Sequence, residues 1–291
     1  MKRLLIPLTA LAVSSCLIDP LYIQMPDTYW SYSIEDQTAR VCFMDDVHTS
    51  VIQHIFSSGS TQAAHGKYTA DGHSVVLDGE NWSKSIKLVR TFSHLKNSST
   101  NKNMTPLYQK SHKSLAGSVW ATLVNGNLYV VLFDGNGKCT EAAFNNVTHK
   151  EGLPIGWSWN RKDYSLNGSS VDVGDQKARL FEDFMVIDTL AVLRSCKAVE
   201  DNASSLTGTF WPTTATNTYP GVIVFTGAST FTRILANSSL VYQTNEGTYT
   251  FDGTTFEFDL GDKKETCPLN GDRFTFLGKE YRRNTTPESL P

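Results

Sequence analysis

The side chains able to do chemistry in this chain are few and scattered. Trp157, Trp159 and Arg161 alternate along one short segment, Trp157-Ser158-Trp159-Asn160-Arg161. If that segment is an extended strand running into Tyr164, Trp157, Trp159, Arg161 and Asp163 share the face opposite Tyr164 and Leu166. Two indoles beside a guanidinium can stack on a sugar or anchor a partner protein. They can equally pack against a neighbouring part of the same chain, and both readings stay open at this level. Five of the seven histidines (His48, His54, His65, His73 and His94) fall early, but none shows ligand spacing, so no metal centre is expected. Asp134-Gly135-Asn136-Gly137 opens like a calcium loop, lacks the later acidic ligands, and reads as a hairpin turn. No nucleophile elbow, zinc-protease helix or phosphate-binding glycine loop occurs. Acidic pairs that cleave glycosides meet only in a fold, which leaves a hydrolase the least favoured reading. The chain is expected not to be an enzyme and to need no cofactor.

Cys42, Cys139, Cys196 and Cys267 allow three full disulfide pairings, with Cys139 and Cys196 the first to consider because they fall in one repeat. The competing reading is buried free thiols, above all for Cys42 in Val41-Cys42-Phe43. Cys16 belongs to another pattern. Lys2 and Arg3 precede an apolar stretch from Leu4 to Val13, too short to span a bilayer that needs about 20 residues. Val13-Ser14-Ser15-Cys16 follows and resembles the lipobox of bacterial lipoproteins. The resemblance implies a signal peptide over 1–15, removed before Cys16, and acylation (diacylglyceryl and palmitate-type chains) of that cysteine. Acyl chains contribute about 0.8 kcal/mol per buried CH₂, so several of them hold a protein on a membrane without a spanning helix. An ordinary signal peptide, with Cys16 in a disulfide, is the alternative. Leu17 in place of Asp points by the enterobacterial sorting pattern to the outer membrane. Asp19 is the only acidic residue in Leu17-Ile18-Asp19-Pro20, which favours the periplasmic face over the cell surface.

Without Lys2 and Arg3, 24 basic residues face 29 acidic ones, a formal charge of −5. That balance gives no electrostatic reason to bind nucleic acid or an anionic membrane. Charged residues are 19% of the chain and aromatics 11%, the profile of an exported β-protein.

The elements that must carry these residues come in three copies. Thr28-Tyr29-Trp30, Ser118-Val119-Trp120 and Thr209-Phe210-Trp211 open the units, the last two preceded by Gly117 and Gly208. A short apolar strand then ends in Phe43, Phe133 or Phe225. Next come Tyr68-Thr-Ala-Asp71-Gly72, Tyr164-Ser-Leu-Asn167-Gly168 and Tyr249-Thr-Phe-Asp252-Gly253. Asp-Gly and Asn-Gly signal hairpins whose two turn residues take positive φ. Beyond them Val75 and Leu77, Val171 and Val173, Phe256 and Phe258 point inward by alternation. Arg90, Arg194 and Arg282 read as equivalent closing residues. In the third unit turn signals recur every six to ten residues, leaving room for about eight strands, enough to close a small barrel. The repeated tryptophans and tyrosines are expected to be core.

The expected fold is all-β: three tandem small antiparallel meander or barrel repeats with little or no helix. The parsing is a signal over 1–15, a lipidated tether over 16–26 and repeats over 27–95, 115–196 and 206–283. Linkers occupy 96–114 and 197–205, and 284–291 is a polar tail. The polar stretch from Ser93 to Ser114 reads as a flexible spacer.

Gly-Thr-Phe-Trp at 208–211, Gly-Thr-Tyr-Thr-Phe-Asp-Gly at 247–253 and Phe-x-Phe-x-Gly-x-x-Tyr-x-Arg at 274–283 together resemble the lipocalin-like repeat lipoproteins of Bacteroides and its relatives. The resemblance weakens through the second repeat to the first, which lacks the opening glycine. It implies a fold and an address, and no catalytic residues. The functional expectation is a lipid-anchored binding or interaction module for an envelope protein, a glycan or a small ligand. A structural component of an outer-membrane assembly is the alternative.

Overall fold

The computed structural model describes residues 22–34, 37–45, 47–55, 60–79, 85–124, 127–133, 136–144, 157–187, 190–194, 206–214, 220–236 and 242–283. The signal segment, Cys16, Asp134, Cys196, the 197–205 linker and the tail lie outside them. All regular structure is antiparallel β, with eight strands in each repeat and no helix among the described residues.

Repeat one holds β1 (Thr28–Ile34), β2 (Gln37–Phe43), β3 (His48–Ile55), β4 (Ser60–Asp71), β5 (Ser74–Gly79), β6 (Ile86–Arg90), β7 (Leu95–Asn97) and β8 (Thr105–Pro106). Repeat two holds β9 (Val119–Val124), β10 (Asn127–Phe133), β11 (Lys138–Phe144), β12 (Trp157–Asn167), β13 (Ser170–Val173), β14 (Gln176–Leu180), β15 (Phe184–Ile187) and β16 (Leu190–Arg194). Repeat three holds β17 (Phe210–Pro212), β18 (Gly221–Phe225), β19 (Thr230–Ala236), β20 (Tyr242–Phe251), β21 (Thr255–Asp259), β22 (Lys264–Pro268), β23 (Arg273–Phe276) and β24 (Lys279–Arg282).

Each repeat is a meander that returns to its first strand, with a different degree of closure. Repeat two is a closed barrel, β9 pairing with both β10 and β16. Repeat one closes through the stretch read as spacer. Asn97 N donates to Lys102 O at 2.9 Å and Met104 N to Leu95 O at 2.7 Å, after which β8 pairs with β1. The polar residues there form a turn: the Asn97 side chain accepts from Ser99 N and Thr100 N, and Asn101 takes a left-handed φ of 58°. The last strand of repeat one therefore ends at Pro106, beyond the 95 boundary. Arg90 ends the sixth strand and is not the counterpart of Arg194 and Arg282, which end the eighth. In repeat three β24 returns to β17 through a Thr213–Tyr281 bridge. No backbone ladder joins β22 to β23 among the described residues; the Glu265 carboxylate, accepting from Leu277 N at 2.9 Å, spans that seam.

The opening motif has one geometry three times. Thr28 N, Ser118 N and Thr209 N donate to the carbonyls of Met25, Leu115 and Leu206, and their hydroxyls donate to the same oxygens at 2.5–2.6 Å. The turn needs a left-handed residue before the hydroxyl. Gly117 (φ 71°) and Gly208 (φ 82°) supply it without strain, and Asp27 (φ 59°) takes the same conformation where repeat one lacks the glycine. Trp120 and Trp211 then donate from Nε1 to Ser118 Oγ and Thr209 Oγ1 at 2.8 and 2.9 Å. In repeat one Trp30 Nε1 is buried with no such partner.

Phe43, Phe133 and Phe225 meet Tyr68, Tyr164 and Tyr249 edge to face at centroid separations of 4.6–4.9 Å. The turns after those tyrosines differ in detail from expectation. Asp71 pairs with Ser74 and Asn167 with Ser170, so the central residues begin at Gly72 and Gly168. Only the glycines (φ 44°, 64° and, at Gly253, 100°) are left-handed, the arrangement of a turn with Gly at its first central position. Past the turns the inward alternation is as read: Val75, Leu77, Val171, Val173, Phe256 and Phe258 are buried.

Among the described residues, large side chains pack the barrel interiors. Trp30, Val41, Phe43 and Tyr68 pack the first, Trp120, Val131, Phe133 and Cys139 the second, and Trp211, Phe225, Phe231, Phe256, Phe274 and Tyr281 the third. Each such side chain stabilises the fold by roughly 1.5–3 kcal/mol.

The repeats also pack on one another, each touching both others. Between one and two, Tyr29 and Cys42 bury against Phe181, Phe184 and Val186. Arg40 pairs with Asp183 at 2.6 Å, and Arg179 reaches Tyr29 Oη and Asp27 at 2.7 Å. The remainder of the presumed spacer is bound along repeat two: Lys110 N donates to Leu180 O, and His112 N to Gly168 O. Between two and three an apolar cluster forms, and Tyr242 Oη donates to Ala121 O at 2.7 Å. Between three and one, β20 pairs with β4 (Tyr242 with Thr61, Gln243 with Ser60), merging strands of both into one sheet. A flexibly linked string of domains is thus replaced by a three-barrel body.

Candidate functional site

Trp157 and Trp159 do lie on the outer face of barrel two, opposite Tyr164 and Leu166. They are 0% and 6% exposed. The two indoles stack at 5.7 Å, and Trp159 meets the Phe210 ring of repeat three at 5.1 Å. Val222, Val224 and Ile234 of repeat three complete the cover. A sugar has no access to these rings in this arrangement, so the packing alternative is the one the geometry contains. The cause is the neighbour: repeat three presents an equally apolar outer face, which strand parity alone does not reveal. Arg161 follows the indoles on β12 and is exposed. Both indole Nε1 atoms are buried without a hydrogen-bond partner, as is Thr232 Oγ1 on β19.

Of the cysteines, Cys139 is buried in the core of barrel two, while its proposed partner Cys196 and the lipidation residue Cys16 lie outside the described residues. Cys42 and Cys267 are buried thiols. Burial pushes both up to about 12, which removes the thiolate that reactivity requires. Among the described histidines, His48 bonds Asp45, His73 bonds Tyr22 and His112 bonds Phe181 O. Among the described residues no group of His, Cys, Asp and Glu forms a metal site.

The sequence reading passed over a second set. On the third strand of each repeat one position lies opposite Val41, Val131 or Ile223 in register; it is Val51 in repeat one, and in repeats two and three it points inward and carries Glu141 and Arg233. In barrel two the Glu141 carboxylate is buried, paired with Lys162 Nζ at 2.8 Å and accepting from Tyr129 Oη at 2.7 Å. Lys162 Nζ also donates to Gln176 at 2.8 Å. In barrel three Arg233 is 7% exposed, donates from Nε to Tyr281 Oη at 3.0 Å and lies over the Phe276 ring at 5.5 Å. Burial raises the Tyr281 phenol, while Arg233 works in the opposite direction. The ammonium of Lys279 is lowered, first by burial and then by Arg233. A signal for these residues exists: Cys139 to Glu141 and Phe231 to Arg233 are two-residue steps, so alternation from a buried neighbour puts a charge inside.

Exposed apolar side chains gather elsewhere. Phe92 (73% exposed) and Tyr108 (79%) flank the closing strands of repeat one. Phe92 follows Thr91, whose carbonyl accepts from Ile23 N at 3.3 Å.

No family model matches the chain, and no curated protein does. Among solved structures it is similar to the DNA polymerase III subunit beta from Pseudomonas aeruginosa at 7% identity, covering 88% of this chain and 91% of that one, with a TM-score of 0.14. The Helicobacter pylori beta clamp in complex with carprofen is matched at 8% identity over 88% and 90%, with a TM-score of 0.13. Likeness at that level carries no argument about fold or function.

Proposed function

We propose that this chain is a lipid-anchored binding protein of the cell envelope, held on the outer membrane by acylated Cys16. Its three fused barrels present one firm outer surface to an envelope protein or glycan. The observation that carries the binding role is that, among the described residues, large side chains pack the interior of each barrel while the repeats are locked together. A filled barrel leaves recognition to outer faces and loops, and an ordered surface loses less entropy on binding than flexible beads do. Phe92 and Tyr108 are the aromatic side chains this surface offers, replacing Trp157 and Trp159 in that role.

The test has two arms. Cells expressing the chain are fed an alkynyl fatty acid: wild type is expected to take the label into the membrane fraction and Cys16→Ser to lose both label and membrane retention. Unlabelled wild type would discard the anchor. In the second arm, wild type and Phe92→Ala/Tyr108→Ala are compared on purified envelope glycans and by in-cell crosslinking. Binding that the double variant retains in full would remove those side chains from the contact.

A further inference from the structure

We propose that the Nη edge of Arg233, where barrel three lets it meet solvent, is a binding site for a small oxyanion, a carboxylate or phosphate group whose remainder lies outside the barrel. This goes beyond the surface-binding reading and stands without the lipid anchor.

Barrel two supplies the internal control. At the same register it holds Glu141, and the chain neutralises that charge itself with Lys162 and satisfies its oxygens with Tyr129. Arg233 has no such answer. Among the described residues no carboxylate lies within ion-pair distance, and its hydrogen-bond partner is a neutral phenol. Three acids of repeat three are engaged elsewhere: Glu280 with Arg273 and Thr214, Asp272 with Arg282, and Glu265 with Leu277 N. Lys279 is the cross-strand partner of Phe276, over whose ring Arg233 lies, and so brings a second cation to the same part of the barrel. The side chain is 7% exposed and its Nη atoms are not among the buried atoms left without a partner, so the charge meets solvent only at that edge, where an anion would be its first ionic partner.

The geometry also selects the ligand. Tyr281 Oη and the Phe276 ring fix Nε and the plane of the guanidinium, leaving the Nη edge, whose fork matches two oxygens of a carboxylate or phosphate. Asn245 pairs directly with Arg233 across β19 and β20 and shares its face, offering a further amide donor. Size is limited from below. Trp211, Phe225, Phe231, Phe256, Phe274 and Phe276 fill the floor, so an alkyl chain or sugar ring cannot follow the anionic group inward.

The experiment titrates the full mature chain with sodium acetate and, separately, inorganic phosphate, against sodium chloride at matched ionic strength. The Arg233 Nε–H resonance and the thermal midpoint are followed together. A saturable shift of that resonance with acetate or phosphate, with a higher midpoint, is expected, and the arm that responds names the class. Arg233→Met is expected to abolish the response, and Lys279→Gln to weaken it about tenfold. If Arg233→Met does not fold, the Lys279→Gln titration decides alone. Neither anion moving the resonance beyond chloride overturns the site, as does undiminished stabilisation of Arg233→Met or undiminished affinity of Lys279→Gln.

Discussion

Barrels two and three share eight strands, the same opening hydrogen bonds and the same Phe–Tyr edge contact, yet they differ where a charge enters the core. In barrel two a buried carboxylate and a partly exposed ammonium satisfy each other. In barrel three a buried guanidinium leans on a phenol and an aromatic ring. Barrel two is also the one with complete backbone closure, whereas barrel three keeps a side-chain-spanned seam between β22 and β23. The comparison teaches that the repeat scaffold tolerates opposite charges at one interior position provided the surrounding side chains are reassigned, and that closure and internal neutrality go together here.

The sharpest way to break this contrast is Lys162→Met. It leaves the Glu141 carboxylate buried and unpaired and is expected to cost about 3 kcal/mol, read from the urea midpoint. Adding Glu141→Leu should restore most of that loss. A cost below about 1 kcal/mol would show the pair to be screened by solvent and erase the difference from barrel three.

A smaller effect separates the opening tryptophans. Trp120→Phe removes a hydrogen bond to Ser118, while Trp30→Phe removes none, so the first is expected to cost about 1 kcal/mol more. Equal losses would mean that the indole bond contributes nothing beyond packing.

The smallest effect concerns the hairpin turns. Asp252 accepts from Thr254 N, Thr254 Oγ1 and Thr255 N, which hold its carboxyl below the ordinary range. A folded value below the unfolded one gives stability that is present above the ordinary carboxylate value, about 4, and lost as pH falls through the lowered value. Asp252→Asn should flatten that acid branch of the stability curve, measured as urea midpoints from pH 6 downward. Repeat two, with Asn167 at that place, has no such carboxylate to titrate. An unchanged branch in the variant would remove this turn from the acid response.

Much of the fold was written in local pattern. The Gly-x-x-Trp openings, the Asp-Gly and Asn-Gly turns and the period-two alternation beyond them are short-range signals, and each sits where those signals put it, save that the turns of the first two repeats centre one residue later than read. What stayed hidden is what depends on a distant neighbour. Ser98 to Asn101 looks like spacer because its polar side chains bond a backbone turn. The outward face of Trp157 and Trp159 was legible by parity, but not that Phe210 and Val224 would cover it. Arg90 misled because a sixth strand and an eighth strand can end in the same tripeptide pattern. Glu141 and Arg233 were within reach of alternation, yet a charge in a barrel core defies the expectation that inward positions are apolar.

The pairing of β4 with β20 sets the order in which this chain can mature. Ser60 and Thr61 meet Gln243 and Tyr242 only after most of the polypeptide has been made, which is a contact of high sequence separation and slow to form. Until then the leading end of β4 is an open strand edge, able to recruit a second chain. Synthesis from the N-terminus therefore makes the open edge of β4 long before its partner β20, and a truncated product stopping after repeat two keeps a sticky edge that the full-length protein covers.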